Sequence, residues 1–318
     1  MPFDNVISRS DADALIPEEI SAEILKTLPE KSGALQLGRR LPNMSRYQQR
    51  MPVQAALASA YFVAGDTGLK QTSEVNWENI YVTAEELAVI VPIAESVLDD
   101  ADYDIWGEVK PSLEEALGLA IDQAVFYGTN APASWPSSLL VGATAAGHVI
   151  SAAAYTDLYE AIMSETPLGV DGQLMLIEAD GFMATGHVGH MSMRGKLRGL
   201  RDTNGQPIFA RSMQDKGRYE LDGEPILFPR NGSVVAGSSQ LISGDWTQLV
   251  YSIRQDITYK VLDQAVIQDN TGAIIYNLAQ QDMVALRAVM RLGWQLPNPI
   301  NRMNAVAGTR YPFAILQA

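Results

Sequence analysis

The chain contains no cysteine. That excludes a disulfide framework and thiolate chemistry, and it fits synthesis in a reducing compartment. Cations are outnumbered: 23 Lys and Arg stand against 37 Asp and Glu, for a net charge of −14. Phosphate binding needs a surplus of Lys and Arg, so the balance argues against a protein whose main task is gripping nucleic acid. Long apolar runs are missing too. The longest, Leu87–Ala94, is far short of a membrane span and is interrupted by Pro92, so no membrane partner is expected. The first twenty residues lack a basic-then-apolar pattern, and no signal peptide is expected. Neither phosphate-binding loop pattern occurs, Gly237-Ser238-Ser239 is not framed as a nucleophile elbow, and no internal repeat or low-complexity tract is seen.

Histidine occurs three times. His187 and His190 form H-x-x-H, which at helical spacing would set two imidazoles on one face. A catalytic zinc needs a third ligand and an open position. No Glu lies between the pair and the remaining histidine is His148, so a surface or packing role is expected. Asp99, Asp100, Asp102 and Asp104 alternate loosely like calcium ligands, but the central Gly and closing Glu of a calcium loop are absent; helix capping explains them more simply. The five Trp are scattered, as expected of core or interface anchors. No cofactor and no enzyme activity are expected.

The stretch from Asp99 to Gly128 reads as one long helix. Asp104 is a candidate N-cap, and Ile105, Val109, Leu113, Leu117, Ile121 and Val125 fall on one stripe at helical spacing. Gly128 supplies a left-handed stop, and Pro111 predicts a kink or a late start. Before it, Ala58–Pro92 reads as a long hairpin: runs Ala60–Ala64 and Asn79–Val91 flank a polar tip, Gly65–Asn76. It has too few apolar residues to bury both faces, and a lone hairpin is marginal in water, so it is expected to lean on another copy of the chain.

At 318 residues the chain holds one large or two modest domains. Residues 1–15 are polar. A short helix is predicted over Pro17–Thr27, with Ile20, Ile24 and Leu28 on a face. Arg39, Arg40, Arg46 and Arg50 form a basic cluster that is either a solvated face or a contact with acids of a neighbour. Thr129–Gly147 is a loop and domain transition. Then follow a helix over Tyr155–Glu165, a strand over Gln173–Glu178 and a helix over Gly181–Leu200, broken near Gly186 and Gly189. Arg201–Gly223 reads as a loop or short hairpin. Strands are predicted over Pro225–Pro229, Ser233–Ala236, Leu241–Ser243, Trp246–Ile253 and Ile257–Leu262, the last two joined by a turn at Arg254–Asp256.

The order of arm, hairpin, "VTAEELAVIVPIAESVLDDADYD" and a helix ending "AIDQAVFYGTN" resembles the major capsid proteins of tailed bacteriophages, with the HK97-type fold. The resemblance returns in Tyr251–Ala265 and Tyr276–Pro299, so it covers nearly the whole chain through an ordered set of four stretches. It implies an α+β fold. The parts are an N-terminal arm (1–34), the entry to a peripheral domain (35–57), the hairpin and its base (58–92), the peripheral domain with its spine helix (93–128), an inserted axial domain (129–256) and a peripheral return (257–318). It further implies hexamers and pentamers building an icosahedral shell around double-stranded DNA, in the virion, made in the host bacterial cytoplasm. An acidic wall suits DNA held without sequence-specific contact. A separate scaffolding protein or a trimmed form is expected, because no coiled-coil prefix is seen; a portal and a decoration protein are further partners. Intersubunit contacts are implied at Lys70, Arg39, Arg40, Glu85, Glu86, Arg287 and Arg291. Some members of the family join a hairpin Lys to a neighbour's Asn with the help of a Glu. Lys70 sits at the tip, but the Asn position falls near Gln281 and the Glu position near Ala288 or Val289, and no acid lies between Met283 and Gly308. Lys70 is therefore expected to be an ordinary charged residue. An encapsulin-like nanocompartment shell is the alternative reading.

Overall fold

A long helix, α3 (Ile105–Tyr127), forms where the apolar stripe predicts it. Asp104 caps its start by accepting the Gly107 N–H at 3.1 Å, and Gly128 ends it at φ 75°. Pro111 is carried inside the helix. The computed structural model describes residues 32–63, 68–100, 104–155, 157–163, 172–201, 204–206 and 220–318. The helix predicted over Pro17–Thr27 lies outside them, as do parts of the hairpin tip and of Arg201–Gly223.

The first half of α3 covers one face of a four-stranded sheet with order β1-β10-β13-β4. Its strands are β1 (Arg39–Arg40), β4 (Glu85–Ala94), β10 (Val250–Leu262) and β13 (Met283–Gln295). Leu113 and Leu117 pack on Leu286 and Ala288, with Leu87, Val89 and Val91 beside them. Because side chains alternate along a strand, Glu86, Ala88, Ile90, Arg287, Val289 and Arg291 belong to the face turned away from α3. Of the two strands predicted on either side of Arg254–Asp256, Trp246–Leu249 form no strand, and Val250–Ile253 and Ile257–Leu262 belong to one strand. The supposed turn is where the pairing of β10 with β13 slips, between Ile253 and Thr258, so the polar residues mark a bulge.

The hairpin is built differently from the expectation. Its ladder joins β2 (Gln48–Ala56) to β3 (Asn76–Thr83), and Ala60–Val63, the described part of the predicted first run, form no strand. The predicted run Asn79–Val91 divides: β3 stays in the ribbon while β4 turns into the four-stranded sheet. Pro52 lies inside β2, opposite Asn79. Only a ribbon whose strands each keep an unpaired edge tolerates this, which is why Gln48–Ala56 does not read as a strand.

The second sheet has six strands, ordered β5-β14-β9-β6-β8-β7: β5 (Val149–Ser151), β6 (Gly186–Gly189), β7 (Glu220–Leu221), β8 (Glu224–Leu227), β9 (Leu241–Gly244) and β14 (Phe313–Gln317). Gln173–Glu178, predicted as a strand, belongs to a helix, α6 (Gln173–Ala179), whose Leu174 and Ile177 are buried one turn apart; so short an apolar run does not reveal its period. The predicted helix over Gly181–Leu200 is strand β6 followed by helix α7 (Met191–Gly199). Gly186 is needed for close approach: a Cβ there would lie 3.2 Å from the Trp246 ring. Ser233–Ala236 form no strand, and the described part of the Tyr155–Glu165 helix is Leu158–Met163. Phe313–Gln317 departs from the expected peripheral return, because it pairs with β5 and β9 of this second sheet. Its residues Phe313–Leu316 are all buried, as suits an inner strand covered on both faces.

The last turns of α3 tie the two sheets into one core. Ile121, Val125 and Phe126 meet Met290, Leu292 and Trp294 of β13 and Phe313 and Ile315 of β14. Trp246 packs edge-to-face on Phe313 at 5.1 Å, and its ring N–H donates to the Gly186 carbonyl at 2.9 Å. On α3 one carboxylate is fully buried. Asp122 accepts from the Ser32 hydroxyl (2.5 Å), the Gly33 N–H (2.9 Å) and the Ala34 N–H (3.0 Å), fastening the start of α1 (Gly33–Leu37) to the spine. Burial pushes its pKa up, against these hydrogen bonds, which favour the ionised form.

All three of these partners donate, so an amide in place of Asp122 would set an N–H against them. Asp122→Asn is expected to cost about 1–3 kcal/mol in urea denaturation of the unassembled chain and to speed proteolysis near Ser32. An unchanged midpoint would show that the carboxylate is not the anchor.

Candidate subunit interface

The β2–β3 ribbon exposes what a folded chain normally hides. Trp77 and Tyr81 stand on one face of β3, 63% and 50% exposed. Beyond the ladder the chain runs on without strand pairing, held by the Ser59 N–H to Ser73 Oγ (2.7 Å) and the Tyr61 hydroxyl to the Gln71 carbonyl (2.8 Å). Phe62 is fully exposed and Leu69 is 88% exposed. The base leans on the chain's own 297–310 segment: Arg302 donates to the Ala58 carbonyl, and the Ile300 N–H to the Gln54 carbonyl at 3.4 Å. Composition alone did not single out these aromatics; their spacing along a ribbon with no interior is the signal that was available.

The predicted contact residues do not form one cluster within the chain. Lys70 is exposed near the tip and makes no ion pair among the described residues. Arg39 and Arg40 lie on β1, held to β10 through backbone pairing, with their side chains exposed; Arg40 donates to Asn43 at 3.0 Å. Glu85 and Glu86 start β4 and divide their work. Glu85 accepts from the Ser134 and Tyr47 hydroxyls, each at 2.6 Å, and these hold its carboxyl below the usual range. Glu86 accepts two hydrogen bonds from Arg291, at 2.8 and 2.5 Å, in a half-exposed ion pair. Arg287, further along the same face of β13, is partly buried, and its Nε has no hydrogen-bond partner. Lys260 lies directly opposite Arg287 on β10, a pairing that local sequence does not reveal.

The positions tied to crosslinking are apart in character. Gln281 accepts from the Asn277 N–H at 3.1 Å, while Ala288 and Val289 are buried in β13. His187 and His190 share no helix face. His187 lies in β6, between the Ser243 hydroxyl (2.8 Å) and the Leu221 carbonyl (3.2 Å), and His190 caps α7. Among the described residues no group of three metal-binding side chains comes together, and no helix is long and apolar enough to cross a membrane.

A spine helix on one sheet, a second sheet inserted beside it and a projecting ribbon are the arrangement expected from the resemblance. The family model described as the phage capsid family matches residues 12–301. The chain belongs to the phage capsid family. This capsid protein is 28% identical over 292 residues to the major capsid protein of Staphylococcus phage 80alpha, across 91% of this chain and 84% of that one. A solved structure from Microbacterium phage Oxtober96 superposes with a TM-score of 0.82 at 34% identity, covering 98% of this chain and 99% of that one. One from Mycobacterium phage Bobi gives 0.80 at 30%, over 98% and 99%. The fold is therefore the HK97-like α+β fold, and the capsid protein is a shell-forming structural protein of the virion. These findings favour a phage shell over a cellular nanocompartment.

The buried His187 gives a pH signature. Burial lowers its pKa from 6.5 to about 4, so the folded chain keeps the ring neutral while the unfolded chain protonates it first. The stability it contributes is complete above about pH 6.5 and is lost as pH falls toward 4, in total about 3 kcal/mol. In urea titrations of the unassembled chain, His187→Gln is expected to flatten the stability profile across that window relative to wild type. Parallel profiles would contradict it.

Proposed function

We propose that copies of this capsid protein form hexamers and pentamers that tile an icosahedral shell around double-stranded DNA, with the β2–β3 hairpin as the arm that crosses between subunits. The observation that carries this reading is the exposure of Phe62, Leu69 and Trp77 on a ribbon with no interior of its own. Contacts of this head-to-tail kind close into rings. The residues proposed at the interfaces are Lys70, Arg39, Arg40, Glu85, Glu86, Arg287 and Arg291. Residues 129–249, with the strand Phe313–Gln317 added to their sheet, form the axial part, seven residues short of the expected 129–256 because β10 begins at Val250; the spine helix and the four-stranded sheet form the periphery. The acidic chain holds DNA without reading its sequence. A separate scaffolding protein guides assembly, a portal occupies one vertex, and a decoration protein is a further partner. The protein is made in the host bacterial cytoplasm and performs no catalytic step of its own.

Deleting Gly68–Thr72 and closing the turn with Asn-Gly tests the arm. These residues lie outside every ladder and every core cluster, so the circular dichroism spectrum and melting of the unassembled chain are expected to stay within about 0.5 kcal/mol of wild type. Closed shells in electron micrographs are expected to disappear, because a loss of about 1 kcal/mol per contact changes each association constant several-fold and recurs around the lattice. Normal shells from the shortened chain would remove the hairpin from the interface.

A further inference from the structure

The base of the hairpin and the 297–310 segment do not close on each other completely. Between them lies a cavity of about 290 Å³, with Gln54 and Glu78 on the ribbon side and Asn298 and Arg310 on the other. Its wall holds a charge that the fold does not balance. Arg310 is only 4% exposed. Its Nε donates to the Asn298 side-chain oxygen (3.1 Å), its Nη1 to the Asn304 carbonyl (2.9 Å) and its Nη2 to the Asn298 carbonyl (3.0 Å), all of them neutral acceptors. No carboxylate stands within ion-pair distance: among the described residues the ion pairs are Arg291–Glu86 and His148–Asp180. Asp180 acts on Arg310 from further away, and its oxygens already accept from the Tyr311 N–H (2.7 Å) and the Asn304 amide (2.7 Å). A buried cation is costly unless an anion pairs with it.

A guanidinium carries five N–H groups. Three are used here, which leaves one on each terminal nitrogen of Arg310. Such a pair is the fork that an oxyanion takes with two oxygens at once. Further donors surround the same space. Gln54 Nε2 gives one hydrogen to the Ala56 carbonyl (3.2 Å) and keeps the other. Ala305 and Ala307 also line the cavity, and their backbone N–H groups make no hydrogen bond among the described residues. Donors on both sides of the space suit a tetrahedral anion better than a planar one. Glu78 is the one acid that lines the cavity; it is exposed on β3 and pairs with no cation among the described residues. Its charge opposes an anion there and so sets how tightly one is held.

We propose that this cavity is a phosphate site, with the anion seated on the free fork of Arg310 and held from the ribbon side by Gln54. Ordered water fills the space that a bare phosphate leaves. The bound anion completes the charge of Arg310 and bridges the hairpin base to the 297–310 segment, so occupancy stiffens the root of the arm. The site does not depend on the shell reading, because both of its walls belong to one chain.

Calorimetric titration of the unassembled full chain with inorganic phosphate, against sodium chloride of equal ionic strength, tests the site. A single saturable site per chain is expected, with acetate bound several-fold more weakly. Glu78→Gln lies on an exposed edge and outside every core cluster, so it should fold as wild type does and bind phosphate several-fold more tightly. Arg310→Lys keeps the charge but loses the fork, and should bind several-fold more weakly. Heats that merely follow ionic strength, acetate held as tightly as phosphate, an unchanged affinity in Glu78→Gln or an undiminished one in Arg310→Lys would each overturn the site. If Arg310→Lys does not fold, the Glu78→Gln titration decides alone.

Discussion

A two-stranded ribbon cannot bury both of its faces, and the β2–β3 hairpin has only its own base to lean on. Arg302 and Ile300 hold that base to the 297–310 segment. Beyond the ladder, Phe62 and Leu69 remain in water. The described residues beyond the ladder enter no core cluster, whereas Met51 and Val82 at its base pack with Met44 and Ala84. On the proposed reading, the exposed part of the arm serves association while the core clusters serve folding.

Two of those clusters meet on α3. Its first half closes the four-stranded sheet, and its last turns enter the core shared with the six-stranded sheet through Phe126 and Trp246. Asp122 extends the same rigid element to the N-terminal side, where Ser32 to Ala34 are fixed by hydrogen bonds to one carboxylate. One helix thus sets the positions of both sheets and of the point from which the N-terminal segment departs. A shell subunit needs such a fixed frame, because small rotations between sheets would spread the angles at which neighbours meet.

The long helix was legible because its cap, stripe and stop agree: Asp104, the Leu113–Leu117–Ile121 spacing and Gly128 are each local signals. The hairpin was legible as a feature but not in its register. Gln48–Ala56 carries Pro52 and little alternation, so its strand character depends on β3 being its single partner. Gln173–Ala179 and Gly186–Gly189 were misread in opposite directions. Each is too short for periodicity to separate helix from strand, and each is decided by a distant contact: Gln173 Nε2 donates to the Leu241 and Ala314 carbonyls, and Gly186 lies against Trp246. At the interface, the resemblance pointed to Arg287 and Arg291, but only register reveals that Arg291 is paired with Glu86 while Arg287 faces Lys260. Pairwise charge relations across strands are set by tertiary structure and leave no trace in local sequence.

The central claim is that the hairpin belongs to a neighbour's surface rather than to its own. A reconstruction of assembled particles by electron cryomicroscopy, at a resolution that traces side chains, tests it directly. Density for the hairpin is expected to lie against another subunit. Density that folds back along its own chain, or that projects into solvent touching no neighbour, would contradict it.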